Sequence, residues 1–400
     1  MKILYIHQYF LTPEEGGCTR SYYLAKGLIQ HGHEVTMITS SNDQRGNKNV
    51  DGIDVRYLPV KYNNAYGFIR RILAFLLFVR LAKREAATVC GVDLAYVMTT
   101  PLTTGLIALH LKKKKNIPYY FEVGDLWPEA PIQMGAIKNG VLKKLLYSFE
   151  SKCYFHANKV IALSPPIRNY IESVSPQTKV YVIPNLSHCH FFEPSFSIKH
   201  FNEQNPLKIG YIGAIGEANN LSYLLDCAKY CEQEKLPIQF TLMGAGKQLA
   251  LIKKKAHKLQ NTKIIPFGNA QKVKDVMDTL DISYVSFLNK DVLGTGSPNK
   301  FFDSLAAGKL TVINFNGWIK NIVEKHKCGF HHDPEKPEDF ARKMQVFLKN
   351  PSLMHTYQRN ARRLAEHYYD RELQIQKLVK IINNEKKISL SDSEVYILTA

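Results

Sequence analysis

Short apolar runs alternate with longer amphipathic stretches along the first half of the chain. The runs have the length and the continuous hydrophobic character of buried strands. They cover residues 2–6, 34–39, 53–60, 94–98, 119–123, 159–163 and 180–183. The stretches between them are long enough for helices, and this βαβ rhythm predicts a parallel sheet. The rhythm lapses from residue 187 to 206, a stretch rich in His, Phe, Asn and Pro.

The same alternation resumes in the second half. Strands are predicted at residues 208–212, 239–243, 263–266, 282–287 and 310–314, with helices such as 221–233 between them. The prediction is therefore an α/β chain with two facing, doubly wound, Rossmann-like domains and a cleft between them. Its boundaries are an N-terminal acceptor-binding domain at 1–190, a linker at 191–206, a C-terminal nucleotide-sugar-binding domain at 207–350, and a helical tail at 351–400 that packs back on the N-terminal domain.

Composition fits this picture and narrows the partners. A chain of 400 residues with 45% hydrophobic content can bury a large core. The net charge of +18 implies anionic partners. Because no nucleic-acid-binding module is recognisable, we expect phosphate-rich substrates at an anionic membrane surface and no nucleic acid. The seven cysteines are scattered without a four-ligand pattern, so we expect free thiols and no metal.

The longest apolar run, residues 72–79, is too short to cross a bilayer. The first residues lack a signal-peptide pattern, so we expect a cytoplasmic protein. Residues 65–84 are apolar in the middle and basic at both ends. This stretch is either a buried helix or an interfacial one that binds the inner face of the plasma membrane.

Two segments of the first half could carry chemistry. The loop after the first strand ends in Gly16 and Gly17 and leads into a helix with Arg20 in its first turn, which suits an anion. A plain turn capped by Thr19 is the alternative. The second segment, residues 121–129, concentrates acids at the end of the fifth predicted strand. Its acids either bind an acceptor hydroxyl or cap a helix.

In that second segment, Glu122 and Asp125 are the candidate catalytic residues. In the second half, glycines follow two successive predicted strands. They are Gly213 and Gly216 after the first, and Gly244 and Gly246, next to Lys247, after the second. Two such turns resemble a cradle for a pyrophosphate, although each alone is a weak signal. Phe267 follows the third strand, where a nucleotide base could be held.

The richest segment is residues 294–309, a loop of small residues that runs into a helix. Its candidate donor-binding residues are Thr295, Ser297, Pro298, Asn299 and Asp303. Asp303 could accept hydrogen bonds from two vicinal hydroxyls such as those of a ribose, or it could be an ordinary first-turn acid. Lys300 could face the diphosphate and is the third candidate catalytic residue.

These motifs resemble retaining glycosyltransferase family 4, which has the two-domain GT-B fold. The resemblance rests on residues 14–17, 32–36, 122–129 and the S-P-N-K-F-F-D-x-L-A-A-G-K run at 297–309. Within the family the chain looks like the branch that builds bacterial O-antigen and capsule repeats, including N-acetylfucosamine transferases. By similarity, Asp303 is the ribose-binding acid. The family's other acid is replaced by Thr295, and its phosphate-binding Arg and Lys after the Gly213 strand are absent.

The resemblance implies a retaining, metal-independent transferase without a cofactor. The donor would be a nucleotide diphosphate sugar, UDP by family weight, carrying an N-acetylated hexosamine or deoxyhexosamine. The acceptor would be a polyprenyl-diphosphate-linked saccharide. Lys247, Lys300 or Arg20 would then stabilise the leaving phosphate. Two alternatives stay open, a nucleotide-sugar epimerase of the same fold and a catalytically silent partner in a polysaccharide assembly complex.

Overall fold

The computed structural model describes residues 1–63 and 66–384. They form two α/β domains, each built around its own sheet. The predicted architecture of two doubly wound domains, of the GT-B type, is confirmed. The strands are β1 Lys2–Ile6, β2 Glu34–Ser40, β3 Gly46–Val50, β4 Ile53–Leu58, β5 Leu94–Met98, β6 Tyr119–Val123, β7 Lys159–Ala162, β8 Val180–Val182, β9 Leu207–Ile212, β10 Ile238–Gly244, β11 Thr262–Pro266, β12 Ile282–Val285, β13 Leu310–Ile313 and β14 Gly329–His331.

The helices connect and cover these strands. They are α1 Arg20–Gln30, α2 Phe68–Ala86, α3 Gly105–Lys115, α4 Glu129–Gln133, α5 Gly140–His156, α6 Pro165–Val174, α7 Ser222–Gln233, α8 Leu249–Ala256, α9 Ala270–Thr279, α10 Asp291–Gly294, α11 Asn299–Ala306, α12 Trp318–Lys325, α13 Pro337–Lys349, α14 Pro351–Leu364 and α15 Arg371–Ile382. A π-helical turn, Ala365–Tyr369, joins the last two.

The first sheet has the strand order β3-β4-β2-β1-β5-β6-β7-β8 and is parallel except for the β3–β4 pair. Its central strands β5 and β6 are buried along their whole length and β1 is buried from Ile3 onward, as their apolar runs require. Helices α2, α3, α5 and α6 pack on one face, and α1 and α15 pack on the other. The second sheet is entirely parallel, in the order β11-β10-β9-β12-β13-β14.

The sequence pattern missed two strands and extended others too far. β3 has the sequence GNKNV, is largely exposed and pairs antiparallel at the edge, so it lacks a hydrophobic signal. β14 is only three residues long. The strand predicted at 53–60 ends at Leu58 because Pro59 cannot continue the ladder as a donor. The strand predicted at 282–287 ends at Val285.

The chain crosses between the two sheets twice, and the crossings lie side by side. The Ser187 N–H donates to the Tyr369 carbonyl over 2.8 Å, and the Arg371 N–H donates to the Ser187 carbonyl over 3.0 Å. After the second crossing α15 packs on α1 of the first sheet, where Ile375 contacts Gly27. The rest of the tail predicted at 351–400, residues 385–400, lies outside the described residues, as does residue 65 of the predicted helix at 65–84.

No helix in the described ranges is both long enough and apolar enough to cross a membrane.

Candidate functional site

The carboxyl ends of the two sheets face one another across a cleft. On one side, a β-carbon added to Gly16 would lie 3.2 Å from the Gly268 carbonyl oxygen of the second domain. On another, a β-carbon added to Gly296 would lie 3.9 Å from the Asp125 carboxylate of the first domain. The loops that follow the parallel strands therefore meet where ligands bind in folds of this kind.

Lys300 places a positive charge at the carboxyl edge of the second sheet. It lies in the first turn of α11, and its ammonium donates a hydrogen bond to the Tyr211 hydroxyl at 2.8 Å. The nitrogen also sits 4.5 Å from the centre of the Tyr211 ring and 5.1 Å from that of Phe287. Among the described residues no carboxylate forms an ion pair with it. Burial lowers its pKa to about 7, so the site favours an anion that would restore the charge.

Asp303 lies one turn further along the same helix. Its carboxylate has no hydrogen-bond partner within the described part of the chain, and burial raises its pKa to about 7. A partly buried carboxylate without donors is costly unless a ligand supplies them. The helix therefore presents an unpaired cation and an unpaired anion to the same edge, which suits a ligand that has both phosphate oxygens and hydroxyl groups.

The glycine turns beside Lys300 pack tightly on each other. A β-carbon on Gly244 would lie 1.9 Å from the Gly213 carbonyl oxygen, and one on Gly246 would lie 2.3 Å from the Ile215 carbonyl oxygen. A β-carbon on Gly213 would approach the Lys300 side chain to 3.2 Å. Glycine at positions 244 and 246 is thus required by contact between the two turns. Gly216 has more room, since its β-carbon would meet its nearest neighbour at 3.8 Å.

The loop that precedes α11 is fastened to the first domain, and we call residues 291–298 the bridging loop. Ser164 donates its hydroxyl to the Thr295 carbonyl over 2.6 Å, and the Val292 N–H donates to the Gln133 side chain over 3.2 Å. The Asn185 N–H donates to the Ser297 hydroxyl over 3.1 Å, and its side-chain amide donates to the Ser297 carbonyl. Val292 itself is buried in the apolar core of the first domain.

This fastening accounts for two predicted donor-binding residues. The Ser297 side chain is engaged by the first domain, and the Thr295 hydroxyl donates to the Val292 carbonyl within its own turn. Pro298 and Asn299 come next: Pro298 is the N-cap of α11, and Asn299 is the first residue of that helix. The side chains of Thr295 and Ser297 therefore hold the loop in shape, whereas Lys300 and Asp303 have no oppositely charged partner among the described residues.

Arg20 and Glu122 occupy a different place from the one predicted for them. They form a buried ion pair with Nε to Oε1 at 2.9 Å, and their side chains are 1% and 0% exposed. Tyr96 also donates its hydroxyl to Glu122. The remaining Arg20 donors bind the carbonyls of Ile183 and Pro184 at 2.9 and 2.6 Å. With side chains buried this deeply, neither charge faces the cleft, and the pair instead holds residues 183–184 just before the first crossing. The roles predicted for both residues toward a substrate stay predictions.

Asp125 follows β6 and is exposed to the cleft opposite the bridging loop. The walls of the cleft partly exclude water from its carboxyl, and this desolvation raises the pKa of that group. Of the two acids predicted to meet an acceptor, Asp125 is the one whose carboxylate faces the cleft. Trp127, two residues on, packs against the apolar core and contacts Phe75 edge-on.

The remaining predicted residues line the rim. Gly16 and Gly17 have positive φ angles of 74° and 92°, which explains glycine there, and Gly16 is packed against the loop of Gly268. Phe267 is 41% exposed beside this contact. Lys247 is exposed and makes no ion pair within the described residues. The structure thus brings Gly16 and Phe267 together and leaves Lys247 at the surface.

Two further groups at the cleft were not predicted. Tyr211 lies within β9 and holds Lys300, yet in the sequence it is only one more aromatic residue of a buried strand. Arg371, at the start of α15, stacks on Tyr23 of α1 at 4.4 Å. Burial raises the pKa of the Tyr23 hydroxyl and the nearby Asp303 charge adds to that rise, so Tyr23 and Arg371 lie near Asp303. Nothing in the spacing along the chain signals this meeting.

No group of three or more His, Cys, Asp or Glu side chains within the described ranges is placed to hold a metal ion.

Two family models match the chain. The first, "Glycosyltransferase Family 4", matches residues 16–186, and the second, "Glycosyl transferases group 1", matches residues 193–364. An uncharacterised glycosyltransferase of Methanocaldococcus jannaschii is 21% identical over 345 residues, which are 80% of this chain and 81% of that protein.

Solved structures of the same fold are also similar. Sucrose-phosphate synthase from Thermosynechococcus elongatus superposes with a TM-score of 0.75 at 14% identity, over 97% of this chain and 100% of that one. Anabaena HepE in complex with UDP-glucose gives 0.68 at 16% identity, over 96% and 100%. WaaG, a glycosyltransferase involved in lipopolysaccharide biosynthesis, gives 0.65 at 15% identity, over 96% and 99%.

Proposed function

Since the chain belongs to the glycosyltransferases, with a family 4 domain followed by a group 1 domain, we propose that it moves a sugar from a nucleotide diphosphate donor bound at α11. One observation carries this proposal. Lys300 and Asp303 lie one turn apart at the cleft, and neither has an oppositely charged partner in the described part of the chain. A nucleotide sugar supplies what each lacks, phosphate oxygens for the ammonium and ribose hydroxyls for the carboxylate.

In the proposed mechanism the donor diphosphate lies between Lys300 and the glycine turns at Gly213. The acceptor hydroxyl enters from the side of Asp125. As the bond between sugar and phosphate opens, the acceptor oxygen bonds to the same face of the anomeric carbon, and a phosphate oxygen takes the acceptor's proton. The configuration of the sugar is then retained. The protein contributes alignment and a positive charge where the leaving diphosphate gains charge.

The finer features of the donor are part of the same proposal. We propose UDP as the nucleotide, with an N-acetylated hexosamine or deoxyhexosamine as the sugar. HepE, a structural neighbour, is known in complex with UDP-glucose. We also propose that the reaction needs no metal, because the Lys300 ammonium supplies positive charge beside the phosphates. Turnover that is unchanged by EDTA would agree with this proposal, and turnover that EDTA abolishes would contradict it.

For the acceptor we propose a saccharide linked to a polyprenyl diphosphate, as used in O-antigen or capsule assembly at the inner face of the plasma membrane. The net charge of +18 supports attraction to an anionic surface. The neighbour WaaG acts in lipopolysaccharide biosynthesis. Such an acceptor requires the enzyme to work as a peripheral membrane protein.

The donor proposal is tested first by binding. A thermal-shift panel of nucleotides and nucleotide sugars should show a rise in melting temperature with the true donor, because a ligand that binds only the folded state stabilises it. If neither UDP nor any other nucleoside diphosphate or nucleotide sugar of the panel raises the melting temperature of the wild-type protein, the proposal fails.

The role of Lys300 is tested by substitution. We expect K300A to lower the rate of transfer about 10² to 10³-fold, because a preorganised charge beside the leaving phosphate is lost. The measurement is nucleotide release with the donor from the panel and a membrane extract as the acceptor source. K229A, which removes an exposed lysine of α7, is the control and should behave like the wild type. Turnover of K300A close to that of the wild type would remove Lys300 from the site.

Two measurements separate the alternative functions: analysis of the donor sugar after incubation without acceptor, and the nucleotide-release assay. Conversion of the donor to its epimer in the absence of any acceptor would favour an epimerase. Nucleotide binding without nucleotide release in membrane extract would favour a silent partner in an assembly complex.

A further inference from the structure

One helix of the first domain exposes a row of large apolar side chains. On the outer face of α2, Ile69, Leu73, Leu76 and Leu77 are 75%, 61%, 47% and 43% exposed. The opposite face of the same helix is buried in the core through residues such as Phe78. These spacings of four, three and one residues place the row on a single face of the helix. The helix is thus apolar on both faces, and only one of them is explained by the core.

A second helix on the same side of the sheet repeats the feature. Val141, Leu142 and Leu145 of α5 are 69%, 40% and 62% exposed. Helices α2, α3 and α5 share one core cluster on one face of the first sheet, and α3 packs against both of the others. A fourth exposed apolar residue of α5, Phe155 at 58%, lies at the end of the helix. Exposed apolar residues that occur singly need no explanation, but eight on two helices of one face call for a partner.

The charges around these residues are almost all positive. Helices α2, α3 and α5 contain twelve lysines and arginines and two acidic residues, and four of these cations, Arg70, Arg71, Lys143 and Lys144, lie among the exposed apolar residues. Both acids are occupied, because Glu85 pairs with Arg56 at 2.8 Å and Glu150 accepts hydrogen bonds from Tyr154 and Tyr170. The exposed face therefore combines apolar side chains with cations and has no free acid, which complements an anionic lipid surface and disfavours an acid-poor or basic protein partner.

The apolar residues also occupy a defined end of the domain. In a parallel sheet the connecting helices run opposite to the strands, so their first turns lie at the carboxyl edge. Seven of the eight large apolar residues exposed on α2 and α5 fall in the first ten residues of α2 or the first half of α5, and the eighth, Phe155, lies in the last turn of α5. The lysines at the end of α3, residues 112–115, lie at the other edge. The apolar end of this face is thus the end that borders the cleft and Asp125.

We propose that this face, which we call the α2–α5 face, docks on an anionic phospholipid bilayer with the first turns of both helices in the headgroup region. Docking in this orientation brings the mouth of the cleft to the membrane surface. A lipid-diphosphate acceptor could then reach Asp125 without leaving the bilayer. This last consequence rests on the function proposed above, whereas docking itself does not.

The test is vesicle sedimentation with the full chain. The wild-type protein should bind vesicles of phosphatidylcholine mixed with phosphatidylglycerol at least about tenfold more tightly than vesicles of phosphatidylcholine alone, and added salt should weaken the binding. L73S/L77S should weaken binding to the mixed vesicles about tenfold or more, because two inserting side chains are lost. L251S is the matched control. Leu251 of α8 is as exposed as Leu76, at 47%, but lies in the second domain, so this variant should bind like the wild type.

Three results would overturn the proposal. These are equal binding by L73S/L77S and the wild type, binding that does not depend on phosphatidylglycerol, and loss of self-association in L73S/L77S while vesicle binding persists. The last would make the face an interface between copies of this chain. Because both leucines are exposed, the variant should keep the wild-type melting temperature. The nucleotide-induced rise in melting temperature is measured on the same samples without vesicles, so failure of donor binding and failure of docking are seen separately.

Discussion

Replacing Asp303 by asparagine should raise stability and lower function at the same time. The pKa of the Asp303 carboxyl is raised from the ordinary 3.8 to about 7 by burial. The folded chain therefore holds this proton more tightly than the unfolded chain. The resulting stabilisation is complete below pH 3.8 and is lost as the pH rises through about 7. Above that pH the unliganded protein carries an ionised, unpaired carboxylate, and D303N removes it.

The size of the effect follows from the shift. A displacement of about 3 pKa units corresponds to at most about 4 kcal/mol. Because Asp303 is partly exposed in the cleft, solvent screening reduces the expected gain to about 1–2 kcal/mol. D303N should therefore melt about 2–8 °C above the wild type near pH 8. The difference should shrink as the pH falls toward about 5, where the wild-type carboxyl is protonated in the folded state.

Donor binding should move the other way. Hydrogen bonds to a charged group contribute about 1.5–3 kcal/mol, so loss of the carboxylate should weaken nucleotide binding roughly tenfold to a hundredfold, measured by calorimetry. Glu150 has a pKa raised to about 7 as well and contributes to the wild-type pH profile, but it is present in both proteins and cancels in the difference. D226N, which changes an exposed acid of α7, serves as the control. A variant less stable than the wild type near pH 8, or one that binds the nucleotide unchanged, would refute this reasoning.

Two further substitutions probe the scaffold. E122Q leaves the buried Arg20 charge without its partner, so the free energy of unfolding in urea should fall by about 3–5 kcal/mol. A stable E122Q that has lost only acceptor affinity would instead return Glu122 to a direct role in binding. G244A introduces a β-carbon 1.9 Å from the Gly213 carbonyl oxygen, so it should lower the melting temperature and the free energy of unfolding by about 1–3 kcal/mol or more. G216A, whose β-carbon has room, should cost less than about 1 kcal/mol, and equal losses in the two variants would contradict the packing argument.

The hydrophobic pattern located the sheets because parallel strands buried on both faces must be continuously apolar. It failed for β3, an exposed edge strand whose sequence is polar. Lys300 and Asp303 were placed correctly at a loop-to-helix junction after a strand, since that junction must lie at the carboxyl edge. Their roles toward a ligand remain predictions.

The interactions that join distant parts of the chain could not be predicted. Arg20 and Glu122 are 102 positions apart, and each is polar in a segment that could as well face the cleft. Only the folded domain, which brings the start of α1 beside the end of β6, decides that their charges pair in its interior. The hydrogen bonds from Ser164 and Asn185 to the bridging loop depend in the same way on how two separately folded sheets meet.

The bridging loop has a consequence for motion. Its backbone is tied to the first domain at Val292, Thr295 and Ser297, while it continues directly into α11, which belongs to the second. A hinge movement that parts the domains must break these ties or carry the loop along and tilt the start of α11. Opening for substrate exchange and the geometry around Lys300 are therefore mechanically linked, and the second half of the chain produced alone would lack the contacts that hold the bridging loop before α11.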